Sequence, residues 1–357
     1  MKRSGYILLM ATMLLIAMQT GCTPQKNVSP ATTRTYYMGF QNSAPNYYDF
    51  NKVLATLNMW APTRADAAII SMQVPWDSLY AGVSPQQYVT NNCTGLVNFY
   101  RGKGMKLWVY IDPANGLDRS TDALDLKALG MSIAQAGPQQ VYKRFCFVMD
   151  SMLQPEHMGL ALETNLIRVE SPDSIYQGVK AAANSASIEI AAYDTRVKLS
   201  VSIQVDWAWG TFKGGAYAGV DQDFTDFPFV QELGLSSYPY FVYNTAADIP
   251  SNYYSRIVQG RNVPVFLSEG GWSSQQVGTY TENTQKQADY ITKQLQLLDN
   301  ANAIALFQLT FCDIDPNGIG SVPATLNQFI YIGLVDTSLN AKPALAVWDA
   351  GFKRVRK

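Results

Sequence analysis

The chain is poor in the residues on which several common chemistries depend. It holds one histidine, His157, which argues against a multi-histidine metal centre and leaves a Ser-His-Asp triad dependent on that residue alone. Its four cysteines, Cys22, Cys93, Cys146 and Cys312, form no CxxC pair, so nothing resembles a zinc site. Beyond Cys22 three remain, enough for at most one disulfide, and Cys146 in RFCFVMD reads as core packing. Lysine and arginine number 27 against 28 acidic residues, so no broad basic field points to nucleic acid. No GxGxxG or Walker-type run follows the first strand-like segment, and no long linker or internal repeat divides the chain. What is abundant is aromatic: 7 Trp, 21 Tyr and 15 Phe in 357 residues. An aromatic, weakly charged chain suits a neutral hydroxylated ligand better than a phosphorylated one.

The first residues read as a targeting segment. Lys2 and Arg3 precede the apolar run Tyr6–Met18, which is too short for a comfortable membrane span. Gln19-Thr20-Gly21-Cys22 follows and resembles the lipobox of bacterial lipoproteins, with Gln19 in place of the usual aliphatic residue. The resemblance implies a signal peptide over 1–21 and lipidation at Cys22. A polar tether over 22–34 then leads to a folded domain over 35–357. The expected location is the bacterial cell envelope, periplasmic or at the cell surface, with membrane contact through the lipid anchor only.

From Thr35 onward, strand-like and helix-like runs alternate. Strands are expected at Thr35–Gln41, Ala67–Val74, Lys106–Ile111, His157–Leu162, Lys198–Val205, Leu233–Ser237, Val263–Ser268 and Ala303–Leu309. Helices are expected at Asn51–Trp60, Pro85–Lys103, Val141–Leu153, from Ser171 to Tyr193, near Phe227–Glu232, at Glu282–Leu298 and at Lys342–Val355. Strand followed by helix, repeated, implies a parallel sheet, and eight repeats in this length imply a closed (β/α)8 TIM barrel. A doubly wound open sheet is the alternative.

In such a barrel, chemistry is done at the C-terminal ends of the strands. Those ends carry Gln41, Asp112, Glu163, Asp206, Tyr238, Tyr240, Glu269 and Asp313. His157 starts its strand and belongs to the opposite end, where a structural role is expected. Two glutamates stand out, Glu163 after strand four and Glu269 after strand seven. In VPVFLSEGGWSS the strand stops at Glu269, Gly270 and Gly271 turn the chain, and Trp272 offers a flat face for a sugar. Two carboxyl groups so placed can flank a glycosidic bond. One donates a proton to the leaving oxygen while the other attacks the anomeric carbon, about 5–5.5 Å apart for retention and about 6.5–9.5 Å for inversion. Asp206 with Trp207 and Trp209 can line a sugar subsite. Asp313, Asp315 and Asn317 match the first half of a calcium loop, although position twelve is Ala324.

Carboxylates after strands four and seven resemble glycoside hydrolase clan A, the retaining (β/α)8 glycosidases. GLSSYPYF at strand six followed by VFLSEGGW at strand seven looks most like family 53, the endo-β-1,4-galactanases, and Lys342-Pro343-Ala344 with Trp348 resembles their closing helix. The resemblance covers strands four to seven. It implies Glu269 as nucleophile, Glu163 as acid/base, Tyr238 beside the nucleophile and no cofactor. It further implies a β-linked polysaccharide or oligosaccharide, of galactan or mannan type, as substrate. Sugar contacts are expected from Tyr238, Tyr240, Trp272, Asn165, Asp206, Trp207 and Asp112. The pKa of Glu163 is expected to be raised and Glu269 to stay ionised.

The chain departs from the clan pattern at two places. Leu162 stands where an Asn usually precedes the acid/base, with Asn165 two residues after Glu163. Strand eight offers Phe307 or Phe311 where a Trp usually floors the sugar site. Leu162 is the best support for a different reading, a non-catalytic glycan-binding lipoprotein on a degenerate barrel. A two-lobed solute-binding lipoprotein would need a hinge, and no linker provides one.

Overall fold

The computed structural model describes residues 32–318 and 324–357. The signal segment, Cys22 and most of the polar stretch after it lie outside the described residues. Eight strands close into an all-parallel barrel in sequence order. They are β1 (Tyr37–Gln41), β2 (Ala67–Gln73), β3 (Lys106–Asp112), β4 (His157–Gly159), β5 (Lys198–Gln204), β6 (Glu232–Ser237), β7 (Val265–Gly270) and β8 (Ala305–Gln308). Thr33–Arg34 pairs with Val355–Arg356 in a small parallel sheet that joins the two ends of the domain.

The alternation predicts the barrel, and the structure shifts some of its parts. The helix expected over Pro85–Lys103 breaks at Cys93 into Pro85–Asn92 and Thr94–Gly102. The helix expected near Phe227–Glu232 lies earlier, at Asp221–Asp226; Pro228 cannot continue it, and the chain turns straight into β6. Between β6 and β7 only short 3₁₀ turns occur, at Pro239–Phe241, Ala246–Asp248 and Ser255–Val258. The expected six-residue fourth strand shortens to three residues. Beyond it Leu160 N–H still donates to Ser200 and Ser202 N–H to Ala161, so the segment leading to Glu163 stays attached to β5.

Side chains that point inward fill the barrel. Trp108, Tyr110, Phe266 and Phe307 form its interior with Ala67, Ile69 and Ala305. Tyr110 fits because β4 and β6 give way. A Cβ on Gly159 would lie 2.2 Å from its ring, and one on Gly234 would lie 2.4 Å from its hydroxyl. That hydroxyl shares a 2.8 Å hydrogen bond with Ser200 Oγ. At the floor, Trp108 stacks on His157 at 3.8 Å. Outside the strands a second apolar layer holds the helices, and Cys93, Cys146 and Cys312 are buried in it as free thiols. Among the described residues no helix is long and apolar enough to cross a membrane.

Candidate active site

The C-terminal ends of the strands open into a cleft of about 400 Å³ lined by Asp112, Arg119, Glu163, Trp207, Tyr238 and Glu269, among others. Two local irregularities deliver the glutamates to it. Along β6 and β7, Gly234 pairs with Phe266 and Leu235 with Leu267, but Ser236 then pairs with Glu269. Ser268 is the extra residue of a β-bulge. Without it, alternation would set Glu269 opposite Ser237, whose hydroxyl meets Tyr254 in the outer layer. The bulge instead sets Glu269 beside Ser236, on the inner face.

Glu163 arrives differently. It caps the helix Thr164–Glu170 with backbone angles φ 51° and ψ 47°, the left-handed region that a residue with a Cβ rarely occupies. Such a conformation costs on the order of 1–3 kcal/mol and persists where its surroundings fix it. Here Ser202 Oγ accepts from Glu163 N–H at 3.0 Å, and Thr164 is tied to Asp223 at 2.8 Å. The carboxylate does not cap the helix, and Arg168 pairs with Asp223 instead. Glu163 is thereby left to face the cleft.

Ser236 neighbours both acids. Its Oγ donates to Glu163 Oε1 at 2.6 Å, and in register it stands opposite Glu269. Desolvation, then the charge of Glu163, push Glu269 up to about 7. This corrects the expectation that Glu269 stays ionised. The physical reason is Arg119. Its Nε donates to Glu163 Oε2 at 2.8 Å and its Nη1 to Asp112 Oδ2 at 2.6 Å, so the one nearby cation serves the other two acids. Burial raises the Asp112 carboxyl even with Arg119 beside it. Tyr238 lies close enough to both glutamates for their charges, after burial, to hold its phenol well above the ordinary range.

The remaining expected site residues divide. Asp112, Trp207 and Tyr238 line the cleft with the glutamates. Trp272, Tyr240, Asp206 and Asn165 do not. Trp272 is fully buried against Tyr240 and Tyr290, and its indole N–H donates to Glu282 at 2.6 Å, so it presents no face to a sugar. The Tyr240 hydroxyl donates to the Gln328 carbonyl at 2.6 Å. Asp206 is buried beneath Tyr253, whose hydroxyl donates to it, and burial raises its pKa to about 6. Asn165 spends its amide on the backbone of Gln204, at 2.9 and 2.8 Å. Leu162, three residues earlier, lines the cleft instead. His157 sits at the barrel floor, its Nδ1 2.7 Å from Glu232. The calcium reading does not fit: Asp313 is paired with Lys342 at 2.5 Å, and Asp315 accepts from the Asn317 N–H. Among the described residues no group of three or more His, Cys, Asp or Glu is arranged to hold a metal ion.

Sequence reasoning missed Arg119 and Ser236. Arg119 lies in an irregular loop whose path nothing local specifies. Ser236 was legible in principle, since it is two residues before Tyr238 and so on the same strand face.

No protein-family model matches the chain, and no curated protein sequence matches it. Solved structures do. The GH53 catalytic domain of Ignisphaera aggregans superposes with a TM-score of 0.62 at 16% identity, covering 90% of this chain and 96% of that one. The exo-beta-1,4-mannosidase Op5Man5 from Opitutaceae bacterium strain TAV5 gives 0.66 at 14%, with 89% of this chain matched to 59% of that one. Native xylanase 10B from Thermotoga maritima gives 0.59 at 12%, covering 89% and 95%. At these identities the likeness shows the fold: the chain has a (β/α)8 barrel, and its structural neighbours are clan A glycosidases, family 53 among them.

Proposed function

We propose that this protein hydrolyses a β-glycosidic bond with retention of anomeric configuration, using Glu163 and Glu269 as its two carboxyl groups. The observation that carries the reading is that both acids line one cleft at the mouth of the barrel, Glu163 hydrogen-bonded to Ser236 and Glu269 opposite Ser236 in register. The substrate frame is a β-linked glycan, consistent with the mannosidase and xylanase named among the neighbours.

The roles need one proton on the pair, carried by Glu163 with Glu269 a carboxylate when the sugar is bound. Glu269 then attacks the anomeric carbon, and Glu163 gives its proton to the departing oxygen. Glu163 next takes a proton from water, whose oxygen displaces Glu269 from the sugar. Arg119 holds Glu163 in place, and its pairing with Asp112 gives it a second carboxylate to lean on as Glu163 becomes neutral. At the cell the enzyme is held to the envelope by lipid on Cys22; labelled fatty acid incorporated by the wild type and lost in Cys22→Ala tests this.

The Arg119–Glu163 ion pair and Leu162 favour a second reading, glycan binding without turnover, because an ion-paired carboxylate is a poor proton donor. Proton NMR of the first product released from β-galactosides, β-mannosides and β-xylosides separates the two. A β-configured product that disappears in Glu269→Gln supports hydrolysis with retention. An α product overturns the stereochemistry, and binding with no release by the wild type favours the second reading.

A further inference from the structure

The cleft is chemically divided along its length. Strands β1 to β3 contribute Gln41, Ser71, Gln73, Asp112 and Arg119. The side-chain nitrogens of Gln41 and Gln73 donate to the Ser71 and Ala114 carbonyls, at 3.3 and 3.1 Å. Their side-chain oxygens have no protein partner among the described residues, so they remain as acceptors for sugar hydroxyls. The segments after β4, β5 and β6 contribute Leu162, Leu166, Trp207, Phe212 and Phe241, with Tyr238 on the side of the two glutamates. These rings adjoin one another: Trp207 to Phe212 at 5.9 Å, Phe212 to Phe241 at 6.3 Å and Phe241 to Phe329 at 5.9 Å between centroids. Of the side-chain amides here, Gln204 is occupied, accepting from the Trp207 N–H and donating to Asp206, while Gln328 lies beside Phe329 in the segment after β8.

Glu163 stands at the β4 edge of the apolar half. The group that gives the proton to the leaving oxygen necessarily lies on the leaving-group side of the bond. A second sugar there would stack on the rings but leave hydroxyls facing Leu162, Leu166 and Phe241 without partners, which opposes binding. An apolar group buries against the same surface with gain.

We propose that the leaving group of the natural substrate is apolar, an aryl or alkyl aglycone, while the β1 to β3 half holds the sugar. This rests on the glycosidase reading and narrows its β-linked glycan to one whose reducing end carries an apolar group. Phe212 and Phe241 are then the residues that set leaving-group preference.

The test compares methyl and hexyl β-glycosides of galactose, mannose and xylose with the β-1,4-linked disaccharide of the same sugar. Methyl and hexyl alkoxides are leaving groups of similar intrinsic reactivity and differ mainly in apolar surface. The expected result is a kcat/KM at least tenfold higher for hexyl than for methyl on the preferred sugar. In Phe241→Ala that ratio should fall below threefold. A wild-type ratio near one, or a disaccharide preferred over the hexyl glycoside, overturns the proposal while leaving hydrolysis intact. If no glycoside is turned over, calorimetric binding to the wild type decides. Hexyl bound at least tenfold tighter than methyl upholds the apolar half without the hydrolytic reading, and equal or undetectable binding of the two overturns it.

Discussion

The floor and the mouth of this barrel handle charge in opposite ways. At the floor three acids each meet two cations or a histidine. Arg34 and Arg356 hold Asp66, Arg101 and Lys106 hold Glu156, and His157 meets Glu232. Those groups sit at the starts of the strands, where they link neighbouring elements. At the mouth three acids, Asp112, Glu163 and Glu269, share Arg119 alone, and one of the three is held in left-handed backbone. The difference teaches what each end is for. Balanced pairs at the floor fasten the sheet, whereas three acids around one guanidinium at the mouth raise the carboxyl of Glu269, the kind of shift that marks candidate sites of acid–base work.

Exchanging one acid at each end gives the largest contrast. Glu269→Gln should lower turnover on the order of 10³-fold with melting temperature nearly unchanged, because Arg119 pairs with Glu163 and Asp112 instead; Glu163→Gln should lower turnover as much and also weaken the fold, because it breaks a buried ion pair. Glu232→Gln at the floor should do the reverse of Glu269→Gln, weakening the fold by about 1–3 kcal/mol with kcat held within about twofold. Denaturant midpoints and initial rates on the same preparations read both. Equal losses at the two ends would dissolve the distinction.

Removing the Ser236 hydroxyl sharpens the contrast further. Ser236→Ala should reduce kcat by about 10–100-fold with KM little changed, since the hydroxyl holds the Glu163 carboxyl. Ser236→Thr, which keeps a hydroxyl, should retain more activity than the alanine variant. A KM effect in place of a kcat effect would make Ser236 a wall of the cleft.

The mouth also predicts a pH limb that the floor does not. Glu269, raised to about 7, loses its proton as pH rises through that value. The working state needs one proton on the pair, so kcat/KM should fall about tenfold per unit above about 7. A profile flat to pH 9 would show that the pair does not share a proton in this way.

The smallest effect comes from an acid outside both ends. Asp150, on the helix Ala136–Leu153, is buried with neither carboxyl oxygen hydrogen-bonded. Burial, then the charge of Asp194, raise it from 3.8 to about 7, while Arg196 pulls it down. The folded state therefore binds this proton more tightly than the unfolded chain. Its contribution is most favourable below about 3.8 and is lost as pH rises through about 7. Asp150→Asn should flatten this dependence and raise the melting temperature at pH 8 by about 2–4 °C, without altering activity. Thermal melts from pH 5 to 9 measure it.

Much of this was legible in order of residues. Alternating apolar runs are enough to specify a parallel sheet wrapped in helices, because each run must bury its own face whatever its neighbours do. A carboxylate at the end of an apolar run lies at a strand mouth for the same reason, which is why Glu163 and Glu269 could be named. Trp272, Tyr240 and Asp206 were misread by the same logic. Lying next to a strand end does not decide which way a side chain turns once the chain has left the sheet.

What the chain alone determined is therefore the periodic part: eight strands and two acids at their ends. What only the tertiary structure decided is direction and company. The bulge at Ser268 exists because β7 must pair with β6, and it turns Glu269 inward. The left-handed backbone of Glu163 exists because Ser202 and Asp223 hold its surroundings. The partner of Glu163 is Arg119, 44 residues away along the chain. Contacts of that kind depend on loop closure in three dimensions, and no local propensity encodes them.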